Sequence, residues 1–182
     1  ELGIDFISAG SQKWMMAPAG IGIAYISPEI RDKVDPTYIA TSSMDFEFKN
    51  FLNYKLEFRK DAAAYENSTL NTLGMIGLIS SIELFLKLGV ENILDHIISL
   101  QNILIEELKE TEFIIESNLE PVHRSNILIL SHKDNSKNEF IQKELEKQNI
   151  FIALREGFLR VSPHLFNNEK DILTLSKALK LF

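Results

Sequence analysis

The stretch Gly10-Ser-Gln-Lys-Trp-Met-Met-Ala-Pro-Ala-Gly-Ile-Gly22 decides how this chain reads. A short apolar run, Gly3 to Ser8, leads into it, and a second, Ile21 to Ile26, leads out. Lys13 thus stands at the end of a strand expected to be buried, where an ammonium is costly unless paired or neutral. Desolvation lowers the pKa of a lysine, and a neutral amine can attack an aldehyde. Gly20 and Gly22 let backbone pass close to such a site. A lone strand-end lysine is most often a plain surface residue. The combination of strand, small residues, Lys, Pro-x-Gly-x-Gly and second strand sets this one apart.

Working outward, Ile4 to Ser8 shows almost no polar alternation, which predicts a strand buried on both faces of a mostly parallel sheet. Gly22 to Ile26 forms the next strand, and Pro28 opens a short helix to Lys33. Residues 35–60, with Pro36, Ser42, Ser43, Asn50 and Asn53, read as a long irregular crossing segment, uncommon unless functional or packed on a partner. From Leu70 to Leu88 the spacing turns helical, with Met75, Leu78, Ile79, Ile82, Phe85 and Leu86 on one face and Gly89 as the stop. A second helix runs from Val90 to about Glu110 on a stripe of Ile93, Ile97, Leu100, Leu104 and Leu108. Phe113 to Glu116, Ile127 to Ser131, Ile150 to Leu154 and Phe158 to Ser162 then read as strands. Ser136 and Glu139 form a capping box for a helix ending near Gln148. Asn168 caps a last helix that buries Ile172, Leu175, Leu179 and Phe182. The natural boundary lies near Gly89. Residues 1–88 hold too few elements to close a sheet and read as the end of a larger domain, whereas 89–182 make an α+β unit with helices on one side.

At 182 residues and 45% hydrophobic, the chain can bury an ordinary core. A net charge of −7 without a Lys/Arg stripe argues against nucleic acid. The apolar stretch Met75 to Leu88 is broken by Gly77, Ser80, Ser81, Glu83 and Lys87, so no membrane span is expected. Zero cysteines exclude disulfides and thiolate metal sites and fit a reducing compartment, so a cytoplasmic location is expected. The histidines, at 96, 123, 132 and 164, lack metal-ligand spacing. No nucleophilic triad and no Walker-type loop is present.

The Lys13 segment resembles the pyridoxal-phosphate lysine segment of the class V aminotransferase family, which also holds cysteine desulfurases, kynureninase-like enzymes and isopenicillin-N-epimerase-like proteins. The resemblance implies the α/β fold-type I architecture of pyridoxal-phosphate-dependent transferases. Residues 1–88 would be the C-terminal part of the large cofactor-binding domain, and 89–182 the small α+β domain. It also implies a homodimer acting on an amino-acid substrate, with Lys13 joined to pyridoxal 5'-phosphate as a Schiff base and moving the substrate Cα proton. In the family, a His just before the lysine and a Ser three places before it help hold the cofactor phosphate. Here Gln12 and Gly10 stand there, with Ser11 one place nearer, so Gln12 and Ser11 inherit the role.

Ala64-Tyr-Glu-Asn-Ser-Thr-Leu-Asn71 is similar to the family's Arg-Phe-Glu-x-Gly-Thr-x-Asn, with Ala64 in place of Arg and Ser68 in place of Gly. In relatives the Thr reaches the partner's cofactor phosphate across the dimer interface, which gives that role to Thr69. Spacing alone makes Ser68 or Thr69 a cap for the helix that follows. Ile152-Ala-Leu-Arg155-Glu-Gly-Phe-Leu-Arg160-Val-Ser-Pro-His-Leu-Phe-Asn-Asn-Glu169 resembles the family's C-terminal segment, whose Arg grips the substrate α-carboxylate. Arg160 takes that part, since a guanidinium fork holds a carboxylate through two parallel bonds. Arg155 matches a further arginine near the site in some relatives. Without the resemblance, both arginines would be expected to pair with Glu156 or Glu169.

Cysteine desulfurases need a mobile thiol near the Arg155 segment, and this chain has no cysteine. The resemblance therefore implies the C-terminal portion of an aminotransferase-like enzyme, with transamination, epimerisation and β-elimination all open. Two alternatives remain: a cysteine-free C–S lyase of the desulfurase branch, and a non-catalytic binding or scaffold module, favoured by Gln12, Gly10 and Ala64. Family members carry a longer N-terminal half with the first phosphate loop, an aromatic residue over the pyridine ring and the Asp that pairs with its nitrogen. The 182-residue chain alone is accordingly expected to be inactive.

Overall fold

A computed structural model describes residues 3–45, 52, 56–67 and 69–182. Residue 68 and much of the predicted crossing segment (46–51, 53–55) lie outside the described residues, so the capping reading of Ser68 does too. The chain divides into two compact units, Glu1–Phe85 and Leu86–Phe182, where the count of elements places the boundary near Gly89.

In the first unit, β1 (Phe6–Gly10) pairs with β2 (Gly22–Ile26) in antiparallel register, Phe6 opposite Ile26 and Gly10 opposite Gly22. This corrects the parallel, doubly buried strand expected from the apolar run. Residues 11–21 are too short a connection for the crossover that parallel strands require. Phe6, at 59% exposure, and Tyr25, at 50%, show that neither strand is covered within the chain. Ser27 caps α1 (Pro28–Arg31) by accepting from the Ile30 amide. Tyr65, ending a 3-10 turn at Ala62–Tyr65, donates its hydroxyl to the Val34 carbonyl at 2.5 Å. Within the largely irregular crossing segment Met44 bridges Phe58. The unit's long helix is α2 (Thr72–Leu88).

In the second unit, α3 (Val90–Glu107) buries Ile93, Ile97, Leu100 and Leu104, and Leu108 just beyond its end, the stripe that its periodicity predicts. Strands β3 (Phe113–Ile115), β4 (Leu128–His132), β5 (Ala153–Arg155) and β6 (Phe158–Val161) form an antiparallel sheet in the order β3-β4-β6-β5. One face, carrying Phe113, Leu128, Leu130, Leu159 and Val161, packs on the buried stripes of α3, α4 (Asn138–Lys147) and α5 (Glu169–Leu179). Because side chains alternate along a strand, Arg160 between Leu159 and Val161 falls on the opposite face.

Two local expectations shift. The α4 entry is a 3-10 turn, Asn135–Lys137, capped by Asp134, and the Ser136 hydroxyl is spent on the Asp134 carboxylate at 2.6 Å rather than on a capping box. The Ser136 hydrogen bond also holds the Asp134 carboxyl below its ordinary range. The strand expected at Ile150 begins at Ala153, because the Ile150 amide donates back to Leu145 at the end of α4. The last helix has the expected Asn168 cap, completed as a reciprocal box by Asp171.

At the surface, Lys180 donates to Glu107 at 2.6 Å, joining the end of α5 to α3, and this bond lowers the Glu107 carboxyl from its usual 4.5. A depressed carboxyl contributes stability above its unfolded pKa and loses that contribution as pH falls through the folded value. Glu107→Gln is therefore expected to flatten the acid side of a pH–stability profile while leaving its shape above pH 7 unchanged. A full acid limb in the variant would remove the pair from the account.

Candidate active site

The Lys13 loop is pinned from several sides. Ser11 is fully buried, and its hydroxyl donates to the Ile21 carbonyl at 2.7 Å while the Ser11 amide bonds the same oxygen at 3.2 Å. Ala17 N–H returns to the Ser11 carbonyl at 3.1 Å, and Met16 N–H to that of Lys13 at 3.0 Å. Met16 completes this tight turn with φ of 53°, in the left-handed region. The expectation that Ser11 donates to a phosphate gives way here: a hydroxyl has one proton, and burial commits it to closing the loop. Gln12 is exposed, and its side chain lies over Gly10, where an added Cβ would meet Oε1 at 2.7 Å. Within this chain Lys13 is exposed at the tip of the turn.

Helix α2 is the platform beneath this loop, and its buried stripe differs from the expected one. Gly74, Leu78, Ser81 and Phe85 are buried, whereas Ile79 is 53% and Leu86 73% exposed. Ser81 donates its hydroxyl to the Met15 carbonyl, and Trp14 lies against Phe85 with ring centroids 6.1 Å apart. The periodicity missed this because the partner is loop backbone, which selects small and polar residues rather than Leu and Ile. A Gly, Gly, Ser series at 74, 77 and 81 on one helical face was the available signal. A Cβ at Gly77 would meet the Pro18 ring at 2.7 Å. Gly77→Ala should thus forgo the ~1 kcal/mol that alanine normally gains in a helix. Overpacking against a rigid ring typically costs about 1–3 kcal/mol, so net destabilisation is expected in a denaturant titration. A stabilised variant would show that the loop does not rest on the helix there.

Thr69 is exposed and lies before the first turn of α2. It does not cap the helix. Asn71 does: its Oδ1 accepts from the Gly74 amide at 2.9 Å, and its Nδ2 donates to the Gly20 carbonyl at 3.3 Å. One asparagine therefore ties the helix entry to the loop behind Lys13, a role not assigned from sequence although Asn is among the strongest N-cap residues.

Arg155 and Arg160 belong to the second unit. The β5–β6 connection is the two-residue turn Glu156-Gly157, with φ of 48° and 82°, the all-positive geometry that suits a tight hairpin. The register sets Ala153 opposite Arg160 and Arg155 opposite Phe158, so both arginines share the sheet face turned away from the helices. Arg160 is half-buried, and its Nε is buried without a hydrogen-bond partner. Arg155 is exposed and donates to its neighbour's carbonyl, Leu154 O, at 2.8 Å. Neither forms the ion pair with Glu156 or Glu169 that a plain surface role would give. Among the described residues, no three His, Asp or Glu side chains gather as a metal site, and no single helix is long and apolar enough to cross a membrane.

A probable cysteine desulfurase of Borreliella burgdorferi is 28% identical over 204 aligned positions, taking in 99% of this chain and 47% of that protein. A solved complex of the cystine C–S lyase C-DES with its reaction product, cysteine persulfide, has a TM-score of 0.86 at 20% identity, covering 100% of this chain and 47% of the lyase. A C-DES mutant with glycine covalently linked to its PLP (pyridoxal phosphate) cofactor gives 0.87 at 19%, with the same coverage. This likeness shows the fold, that of fold-type I, and the chain spans about half the length of the relatives it matches. The model of the family described as aminotransferase class V matches residues 1–174, nearly the whole length, and to that family the chain belongs.

Proposed function

We propose that this chain contributes the lysine anchor and the carboxylate grip of a pyridoxal-phosphate-dependent enzyme acting on an amino acid. The observation that carries the reading is Lys13, presented at the tip of a turn that Ser11, Ser81 and Asn71 hold in place. The donor set fits the cofactor: an exposed primary amine suits its aldehyde, and the Gln12 amide and Thr69 hydroxyl, both exposed, suit its phosphate. Ser11 serves the loop instead. When bound, the cofactor supplies an electron sink for the pair left as a bond to the substrate Cα breaks. Lys13 Nζ then takes and returns the Cα proton, and Arg160 fixes the substrate by its α-carboxylate. Polypeptide beyond these residues surrounds the amine, the working form is a cytoplasmic homodimer, and the chain alone does not turn over.

The chain has no cysteine, and its hairpin turn has two residues, Glu156 and Gly157. Desulfuration through a thiol of this chain is therefore set aside. Amino transfer is the leading reaction, and a cysteine-free C–S elimination is the second, favoured by the likeness to a C–S lyase. The test is to incubate the full-length protein with amino acids and a keto acid. Transfer of the amino group supports the first, release of pyruvate or sulfide the second. A preparation that stays colourless with added cofactor and yields neither overturns both in favour of a non-catalytic module.

A further inference from the structure

The second unit places two guanidinium groups on one sheet face, and among the described residues no acid pairs with either. Arg155 and Arg160 are diagonal neighbours across the hairpin, since Ala153 faces Arg160 and Arg155 faces Phe158. Diagonal positions lie roughly 7–8 Å apart, within easy reach for side chains of this length. Scarcity of carboxylates does not explain the lack of partners, because the chain carries 26 Asp and Glu against 19 Lys and Arg. Several lysines of the same unit do find partners: Lys133 pairs with Glu112, Lys143 with Glu139 and Lys180 with Glu107. Arg160 goes further and leaves a buried Nε donor unsatisfied. Orphaned buried donors are rare because each forfeits the hydration it had in the unfolded chain.

Two like charges on one face repel, and a single carboxylate at Arg160 would answer only one of them. The geometry points to a ligand with two acidic groups a short carbon chain apart, Arg160 taking one carboxylate and Arg155 the other. The substrate class is then an amino acid with an acidic side chain, and Arg155 is the residue that sets this preference. The inference rests on the reading of Arg160 as the carboxylate grip. The apolar residues of the same face that border the pair are Phe158, opposite Arg155, and Ile129, opposite Arg160, and they lower the local polarity in which both charges act.

The test uses the 182-residue chain, needs no cofactor, and compares succinate with butyrate. These probes have the same carbon number and differ in one carboxylate. Side-chain Nε–H resonances of the two arginines are followed during titration by NMR. Both probes should shift the Arg160 resonance, and succinate alone should also shift that of Arg155, binding at least ~10-fold more tightly through the second charge-assisted pair. In Arg155→Gln that advantage should collapse to about onefold, and Arg155→Lys, which keeps the charge without the fork, should restore part of it. Equal affinity for the two probes, or an undiminished succinate advantage in Arg155→Gln, overturns the inference while leaving the carboxylate grip in place. Failure of both probes to move the Arg160 resonance overturns the grip itself, and this inference with it.

Discussion

Lys13→Ala in the full-length protein is expected to abolish borohydride-fixed attachment of pyridoxal phosphate while leaving the fold intact. Lys13 is exposed at the tip of its turn, and the bonds that hold the turn involve its backbone and its neighbours rather than its amine. Substitutions that remove none of the bonds holding a segment usually stay within about 0.5 kcal/mol, so denaturation midpoints of the cofactor-free variant and parent should coincide. Turnover should fall by at least about 10²–10⁴-fold, the contribution of one positioned proton carrier, before the lost attachment is counted. The decisive measurement is mass spectrometry of the peptide containing residue 13 after reduction. A cofactor adduct on that peptide in the parent and on none in the variant is the expected pair of results. An adduct on another lysine in the parent would remove Lys13 from the chemistry.

Arg160 should give a pair of effects with opposite signs. Its Nε is buried and unpartnered, which costs the unliganded chain about 1–3 kcal/mol for an unsatisfied donor. Arg160→Met, which fills similar space without a donor, is therefore expected to raise the melting temperature. The same substitution removes the partner of a desolvated carboxylate, a loss of about 2–5 kcal/mol, or a rise in KM of tens- to thousands-fold. Arg160→Lys keeps the charge but not the two-pronged geometry, so its KM should fall between those of parent and Met variant. Stability and binding moving in the same direction in Arg160→Met would show that the arginine is a structural residue. The opposed pair of shifts is the signature of a site group kept at the expense of the resting fold.

Much of the second unit could be read directly from the chain. The stripe Ile93, Ile97, Leu100, Leu104 and Leu108 repeats at helical spacing and is the buried stripe in fact, with Leu100, Leu104 and Leu108 joining the core beneath the sheet. The first unit was less legible. The apolar run at Ile4 to Ser8 has the composition of a covered strand, yet β1 and β2 stand exposed in this chain. Composition records what a strand is suited to meet and carries no information on whether that partner lies in the same stretch of polypeptide. The α2 face was misjudged for a related reason. Its neighbour is the backbone of the Lys13 loop, and a surface of carbonyls selects glycine and serine rather than the bulky residues that a periodicity search counts.

By itself the sequence determined that Lys13 follows an apolar strand in a Gly- and Pro-bounded segment, that the chain is free of thiols, and that a four-strand α+β unit closes it. These follow from local spacing and composition, which act between near neighbours along the chain. Only the tertiary structure decided that Ser11 clips the loop, that Asn71 ties the helix entry to Gly20, and that Arg155 and Arg160 share one sheet face. Each depends on which groups from distant positions come within hydrogen-bonding or ion-pairing distance, and pairing register and burial set that.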